Sequence, residues 1–363
     1  MKHINELASI LNKHLNWNKA RIDCLAQMVR GIIAVKTVNL TQISASFTTK
    51  AQIPSSYRRI QRFFSSYEFT LSLIVHFITS VFPLPRKFIL IMDRTNWKLG
   101  TIHINLLVLS IAFRGISLPI FWVNLHKPGT SNTTERIFAL AKVINQLGKH
   151  RIQCFVADRE FVGSEWLKWL TDQQIDFAIR VKENFLVRTD GTEGFTTNIT
   201  SLFRRLKEKK RKYLKQKYWL KDIPIYLSAS RSPKGELLVV ASRKYSRESL
   251  GMYKKRWEIE NMFGCMKSRG FNLEETHLTD QNRLEKLLFV LVIAFCWSYR
   301  LGMENQAVKE IPVKKHKRRA QSLFRYGYDE LRKAVLNGGK TLTRICHLLK
   351  PVSFIKLGGY MHV

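Results

Sequence analysis

The sequence predicts an α/β protein with a mixed central sheet, preceded by a helical region and followed by a basic one. Two apolar runs, residues 87–93 and 151–158, have the length and composition of buried strands, and each ends in an aspartate. Strand patterns alternate with helical patterns over residues 87–183, which is typical of α/β domains. Hydrophobic residues make up 45% of the chain, enough for a sizeable core and too many for a disordered basic protein.

Residues 1–86 form the first predicted unit, because their apolar positions recur at the three- and four-residue steps of helices. Within this unit, residues 55–64 mix three arginines with aromatic side chains. Such a pattern fits a helix that contacts phosphates, and it fits nearly as well a solvated basic face packed by its phenylalanines. Pro83 and Pro85 interrupt the helical pattern, so we place a domain boundary at residue 86.

The α/β pattern that follows is divided by a segment of different character. The predicted strands of the α/β pattern are 87–93, 104–113, 116–125, 151–158 and 177–181. Its predicted helices are 133–147, 164–174, 247–269 and 283–300. We therefore assign 87–183 and 246–303 to one α/β core. Residues 184–245 are read as a β-rich insertion, dense in Lys and Arg over 204–221, and 304–363 as a basic C-terminal region.

The charge balance points to a polyanionic partner. Lys and Arg number 61 against 27 Asp and Glu, a formal net charge of +34 with a pI near 10.2. A compact fold with such a charge repels itself, and phosphates of a nucleic acid relieve that repulsion. A membrane-surface protein and a generic solubility charge are the alternatives. We favour nucleic acid, and we interpret 1–86 as a helical DNA-binding domain.

The cysteines and the hydropathy pattern suggest a cytoplasmic protein without a membrane partner. Five cysteines with no CxxC pair indicate neither a disulfide framework nor a zinc site, so reduced thiols are the simplest interpretation. Charged residues are spread through the N-terminal segment, so no signal peptide is visible. The apolar run 287–297 is shorter than the ~20 residues that span a bilayer, and we interpret it as buried core.

Two aspartates are the first candidates for chemistry. Asp93 and Asp158 each close an apolar strand, and ligand sites of α/β sheets lie at that edge. A carboxylate there is unfavourable unless it is paired, hydrogen-bonded or bound to metal, and carboxylate oxygens suit Mg²⁺ or Mn²⁺. The simpler alternative is that each aspartate pairs with the arginine that follows it, or caps a turn.

A third acid belongs to a regularly spaced polar set. Tyr253, Arg256, Glu260 and Lys267 stand at offsets of 0, 3, 7 and 14, which places them within ~60° of one helix face. Two cations and a phenol beside an acid suit the handling of phosphates, with Glu260 as a third metal ligand. An ordinary ion-paired surface helix is the alternative interpretation.

This spacing resembles the YREK signature of the DDE transposases of insertion-sequence family four. Asp93 and Asp158 match the positions of that family's first two acids, and the resemblance covers roughly residues 1–330. It implies an RNase H-like core in which Asp93, Asp158 and Glu260 hold two Mg²⁺ (or Mn²⁺) ions for phosphodiester hydrolysis and strand transfer. It also implies that Tyr253, Arg256 and Lys267 contact the DNA backbone.

Further expectations follow from the resemblance. Relatives move by cut-and-paste through a DNA hairpin, bind terminal inverted repeats and target DNA, and bridge two ends as a synaptic homodimer. An aromatic residue of the insertion stacks on a flipped base; we choose Trp219, with Tyr218 and Tyr226 as rivals. The expected location is the bacterial cytoplasm, at the nucleoid when DNA is bound. The alternatives are a non-mobile RNase H-like nuclease and a catalytically inactive DNA-binding element protein.

Overall fold

The computed structural model describes residues 2–190, 194–315 and 317–351, so His316 and residues 352–363 of the predicted basic C-terminal region lie outside it. The helices are α1 Lys2–Leu15, α2 Lys19–Val35, α3 Leu40–Ala45, α4 Ile53–Ser66, α5 Leu71–Val81, α6 Thr133–Leu147, α7 Ser164–Asp172, α8 Ile199–Leu202, α9 Ser249–Lys254, α10 Trp257–Met266, α11 Gln281–Val308, α12 Leu323–Asn337 and α13 Gly339–Cys346. The strands are β1 Phe88–Leu99, β2 Ile102–Phe113, β3 Ile116–Asn124, β4 Ile152–Ala157, β5 Phe177–Val181, β6 Leu186–Arg188, β7 Thr196–Asn198, β8 Arg211–Tyr213, β9 Tyr218–Leu220, β10 Ile223–Arg231 and β11 Leu237–Ser242.

The packing divides the chain into two compact units. The sheet unit comprises Pro85–Asn96 and His103–Met262, and the helical unit comprises Met1–Leu84, Trp97–Ile102 and Phe263–Val363. The sequence-based boundaries group 246–303 with the sheet, whereas the contacts group everything after Phe263 with the N-terminal helices. Periodicity shows that a helix is buried, but it does not show which neighbours bury it.

The first five strands confirm the predicted fold class. Their order is β3-β2-β1-β4-β5. β2 pairs with β3 antiparallel, and β1, β4 and β5 run parallel to one another. β1 and β2 form a hairpin whose turn includes Gly100 at φ +58°, a conformation that glycine adopts without strain. A mixed sheet with this order and these directions, with helices between the parallel strands, is an RNase H-like core.

The insertion is β-rich as expected, but it is not a separate sheet. β11 pairs antiparallel with β5, and β10 pairs with β11, so the central sheet continues directly into the insertion. β9 then joins β10 to the small hairpin of β6 and β7. The basic stretch 204–221 lies on the surface of this extension, where every one of its lysines and arginines is exposed.

The helical unit is built around α11. Both the N-terminal helix α2 and the C-terminal helix α12 pack against α11, because its apolar residues cover all of its faces. The close approach of α11 and α12 uses Gly302 and Gly327, where a Cβ would meet the opposite backbone at 1.9 Å in each case. By length and composition α11 could cross a membrane, yet 83% of its most apolar window is buried in protein, as in a core helix.

Candidate active site

The sheet places the first two aspartates side by side. Residues Leu90, Ile91 and Met92 of β1 are fully buried and lead to Asp93. Met92 pairs with Ala157 in the parallel register between β1 and β4, and Asp158 is the next residue after Ala157. Asp93 and Asp158 therefore lie side by side where the parallel pairing of β1 and β4 ends. The sequence predicted a strand that ends at Asp93, but β1 continues to Leu99 as one arm of the hairpin with β2, so Asp93 lies within its strand.

The third segment is not the single helix predicted over 247–269. It is split into α9 and α10, with Lys255 and Arg256 between them. At the break the backbone N–H of Arg256 donates to the Tyr253 carbonyl and that of Ile259 to the Arg256 carbonyl, so three-residue hydrogen bonds replace helical four-residue ones. The offsets 0, 3 and 7 therefore do not lie on one regular helix, although the contacts still bring Tyr253, Arg256 and Glu260 together.

Arg256 is the centre of this cluster. One terminal guanidinium nitrogen, Nη1, donates to Asp93 Oδ2 at 3.1 Å, and the other, Nη2, lies 2.7 Å from Glu260 Oε1. Its Nε donates to the hydroxyl of Tyr253 at 3.2 Å, and that hydroxyl donates to Asp158 Oδ1 at 3.1 Å. Only 6% of the Arg256 side chain is exposed. One buried cation thus connects the three acids that the sequence singled out.

Over residues 85–297, more than half of the chain, the sequence matches the family model described as "Transposase DDE domain". The chain belongs to this transposase family. Membership makes it an enzyme of the transposase class, and the family normally uses divalent metal ions. The match includes Asp93, Asp158 and Glu260, so the acids that converge on Arg256 all lie within the transposase domain.

A search of the solved structures adds a weak likeness. One similar chain is described as "Cryo-EM structure of piggyBac transposase synaptic complex with hairpin DNA (SNHP)", with 10% identity, a TM-score of 0.45, and coverage of 99% of this chain and 84% of the other. A likeness at this level supports no conclusion about this transposase. No curated protein matches the chain significantly.

A second arginine–carboxylate pair borders the cluster around Arg256. Arg94 donates from Nε and Nη2 to the two oxygens of Glu160, at 2.8 and 3.0 Å, and from Nη1 to Asn105 Oδ1 at 2.7 Å. The backbone N–H of Arg94 also donates to Asp93 Oδ1 at 2.8 Å. Glu160 is therefore ion-paired with Arg94, and the side chain of Arg94 bonds Glu160 instead of its sequence neighbour Asp93.

Burial and charge oppose each other at Asp93. Desolvation raises the pKa of Asp93 to about 6, and the Arg256 guanidinium only partly offsets this effect. The pKa of Tyr253 is raised to about 12, first by burial and then by the charge of Asp158, so its hydroxyl keeps its proton and can donate. Burial lowers the pKa of Arg256, but the surrounding anionic groups outweigh burial and raise it above its usual value.

The donor atoms of the three acids suit a divalent cation better than the spacing of the acids does. Asp93, Asp158 and Glu260 provide the hard oxygen donors that Mg²⁺ and Mn²⁺ prefer, and their charges already converge on a cation. Among the described residues, however, no three acidic, histidine or cysteine side chains stand at metal-ligating spacing. The Arg256 guanidinium lies between these carboxylates, where it neutralises part of their charge.

The remaining predicted residues lie elsewhere. Lys267 belongs to the helical unit, where its Nζ is 2.8 Å from Glu274 Oε1 and 5.3 Å from the centre of the Trp97 ring. Trp219 is half-buried on β9, where it pairs with Pro224 of β10. Of its two rivals, Tyr218 is only 5% exposed and lies in the core, while Tyr226 is half-buried.

Two residues near the acids were not identified from the sequence. A tryptophan is expected to be largely buried, but Trp257 is 57% exposed, and the guanidinium carbon of Arg256 lies 5.4 Å from the centre of its ring. Arg180 of β5 lies 3.9 Å from Asp158 Oδ1. The strand prediction at 177–181 could have found Arg180, because a charged residue in a buried strand needs an anionic partner.

Proposed function

We propose that this transposase is an insertion-sequence enzyme of the YREK group that cuts and joins DNA at the ends of its element. The observation that supports the proposal most is the convergence of Asp93, Asp158 and Glu260 on Arg256 and Tyr253. These acids come from three distant segments, and they share one basic, phosphate-compatible neighbour.

The acids are the residues that would hold two Mg²⁺ or Mn²⁺ ions. Bound metal supplies activation of the attacking oxygen and stabilisation of the leaving oxygen in an in-line displacement. The chain itself orients the carboxylates: Arg94 fixes Asp93 through its backbone N–H, and Tyr253 fixes Asp158 through its hydroxyl. In this proposal water is the first nucleophile and the freed 3′-hydroxyl the second, in a cut-and-paste sequence that passes through a hairpin.

The cationic residues would hold the DNA backbone. Arg256 has a fixed fork of N–H donors that matches a phosphate as well as a carboxylate, and with Tyr253 and Lys267 it forms the proposed set of backbone contacts. The exposed lysines and arginines of 204–221 provide further positive charge. Trp219 remains our choice for the residue that stacks on a flipped base. We further propose a synaptic homodimer on two element ends, working at the nucleoid in the bacterial cytoplasm without a membrane partner.

A cleavage-and-joining assay tests the proposal. A linear DNA that carries the two ends flanking the reading frame is incubated with the full chain, Mg²⁺ and a supercoiled target plasmid. We expect excision of the ends and their covalent joining to the target. Asp93→Asn should abolish both steps, whereas Glu165→Gln, which removes an exposed acid of the same unit on α7, should leave them unchanged.

Each alternative gives its own result in this assay. A non-mobile nuclease of the same fold would nick the ends and never join them to the target. A catalytically inactive element protein would bind the ends, and Asp93→Asn would then change nothing. Either result would overturn the proposal.

A further inference from the structure

Helices α2, α3 and α4 form a compact trio at the start of the helical unit. α2 and α3 are separated by residues 36–39, and α3 and α4 by residues 46–52. α2 and α3 approach closely at Gly31, where a Cβ would lie 2.7 Å from Ser46 Oγ and 3.0 Å from Ile43 Cγ2. Each helix also contacts the other two. Three short helices packed in this order have the organisation of a helix-turn-helix unit, with a turn longer than the roughly three or four residues of the common motif.

Side-chain hydrogen bonds hold the turn and α4 in place. Gln27 of α2 accepts from the backbone N–H of Thr48 at 3.2 Å, and Arg30 of α2 donates to the Ser46 carbonyl at 2.9 Å. Arg59 of α4 donates to the Ala20 carbonyl at 2.8 Å. The first two bonds tie the start of the turn to α2, and the third ties α4 directly to α2, so the turn and α4 are both held against that helix.

The two faces of α4 differ completely in chemistry. Its buried residues are Ser56, Ile60, Phe63 and Phe64. Its exposed residues include Ser55, Arg58, Gln61, Arg62 and Ser65. At ~100° per residue this exposed set spans an arc of about 120° opposite the buried one. No acidic residue occurs anywhere in α4, so the arginines of the exposed face have no intrahelical ion pair.

We propose that α4 is a recognition helix that lies in the major groove of duplex DNA, where Arg58, Gln61 and Arg62 read base edges. An α-helix fits the major groove, and arginine and glutamine are the side chains that make two-point contacts with guanine and adenine. Charge identifies the ligand that binds this face, because an uncompensated cationic surface on a chain of net charge +34 is complementary to a polyanion.

The start of α4 supports this placement. Gln52 provides no side-chain capping bond, and no acid stands in the first turn, so the positive end of the helix dipole remains uncompensated by the chain. Thr49 and Lys50, which precede it, are exposed and carry hydrogen-bond donors. In helix-turn-helix proteins the N-terminal part of the recognition helix contacts base edges while the first helix crosses the DNA backbone.

Selection followed by quantitative binding tests the proposal. Duplexes that the wild-type full chain selects from a random-sequence library are compared with scrambled duplexes of the same composition, without divalent metal. The decisive variant is Arg58→Lys/Arg62→Lys, because it keeps both charges and removes the two-point geometry. We expect its affinity for the selected duplex to fall about 10- to 100-fold, with little change on the scrambled duplex.

The matched control is Lys13→Ala/Lys333→Ala, which removes two exposed charges from other helices of the same unit. It should weaken binding of both duplexes slightly and equally. Three results would each overturn base reading by α4. Arg58→Lys/Arg62→Lys could lose the same affinity for both duplexes, it could lose none for either, or the library could yield no common motif. Thermal melts of all variants verify folding, and the charge-preserving variant at exposed positions should melt as wild type.

This inference rests on the proposed function only because it takes DNA as the partner. The recognition helix and the cleavage activity can therefore fail separately. Asp93→Asn should keep selective binding while it loses cleavage. A chain that cuts and joins DNA but shows no selectivity through α4 refutes the recognition helix alone.

Discussion

The two units of this transposase hold arginine side chains in different surroundings. Arg256 of the sheet unit is buried, and its guanidinium bonds Asp93, Glu260 and the Tyr253 hydroxyl. Arg58 and Arg62 of the helical unit are exposed on a helix without acids. In the first setting protein groups already bond the guanidinium, so Arg256 orients the acids of the site before any contact with DNA. The second leaves the donors free for a ligand, so it contributes little to the fold.

The largest expected effect concerns the acids around Arg256. Replacing Asp93 or Glu260 by the corresponding amide keeps the size of the side chain but removes its charge and one of its two acceptor oxygens. We expect DNA cleavage in Mg²⁺ to fall by about 10⁴-fold or more, because members of a catalytic group act as a unit. Gel-based single-turnover cleavage measures the loss. Glu165→Gln, which changes an exposed acid of α7, should keep the rate of cleavage, and an equal loss there would show that the effect is not specific to the acids around Arg256.

The second expected effect is on folding. Arg256→Ala would remove the buried guanidinium that bonds both Asp93 and Glu260, and truncating one partner of a buried pair costs about 3–5 kcal/mol. Because the Glu260 side chain is 37% exposed, we expect the lower end of that range. Urea denaturation at pH 7 in a chelator measures the free energy of unfolding. Arg180→Ala is the control, since its side chain is 32% exposed and 3.9 Å from Asp158, and it should change stability by less than about 1 kcal/mol.

A double-mutant cycle makes this prediction specific. If Arg256 acts by neutralising Asp93, Arg256→Ala should be less destabilising in an Asp93→Asn background than in the wild type. Additive effects of the two changes would mean that the ion pair contributes nothing beyond its separate parts.

The contrast also explains what the sequence could reveal. The apolar runs that lead to Asp93 and Asp158 were predictable, because an apolar run closed by a carboxylate is a local pattern, but β1 continues past Asp93 to Leu99. The break at Arg256 was not predictable from local spacing, and Asp93, a partner of Arg256, is distant in sequence. A regular helix is the local preference of 247–269, and tertiary context can override such a preference.

Long-range pairing limited the prediction elsewhere. Strand patterns predicted that the insertion is β-rich, but nothing local in β11 specifies that it pairs with β5. Likewise, the apolar faces of α11 predicted burial without indicating that α2 and α12 would cover them. The arginines of α4 were visible in the sequence, yet only the burial pattern separates Arg58 and Arg62 from Arg59, whose guanidinium bonds the Ala20 carbonyl.

The third expected effect is a pH dependence at Asp93. Its pKa is raised from 3.8 to about 6, so between these values the folded protein holds a proton that the unfolded chain has lost. Stability from this group is therefore fully present below pH 4 and is lost as the pH rises through 6, by at most about 3 kcal/mol. Denaturation of wild type and Asp93→Asn across this range in a chelator isolates the effect. A stability difference between the two proteins that is constant with pH would contradict it.

The smallest expected effect is the change in stability when the exposed arginines of α4 are replaced. It tests most directly whether these arginines differ from the buried Arg256. Arg58→Ala and Arg62→Ala remove positive charges from a chain whose net charge is already +34, and surface substitutions without buried contacts usually change stability by less than about 0.5 kcal/mol. Alanine also has the higher helix propensity, so each change should be neutral or slightly stabilising in urea denaturation at low salt. Arg59→Ala is the matched control one residue away, because it loses the bond to the Ala20 carbonyl and should destabilise by about 1 kcal/mol. If Arg58→Ala or Arg62→Ala destabilised as much as Arg59→Ala, these arginines would be structural, and their freedom to bind DNA would no longer follow from their exposure.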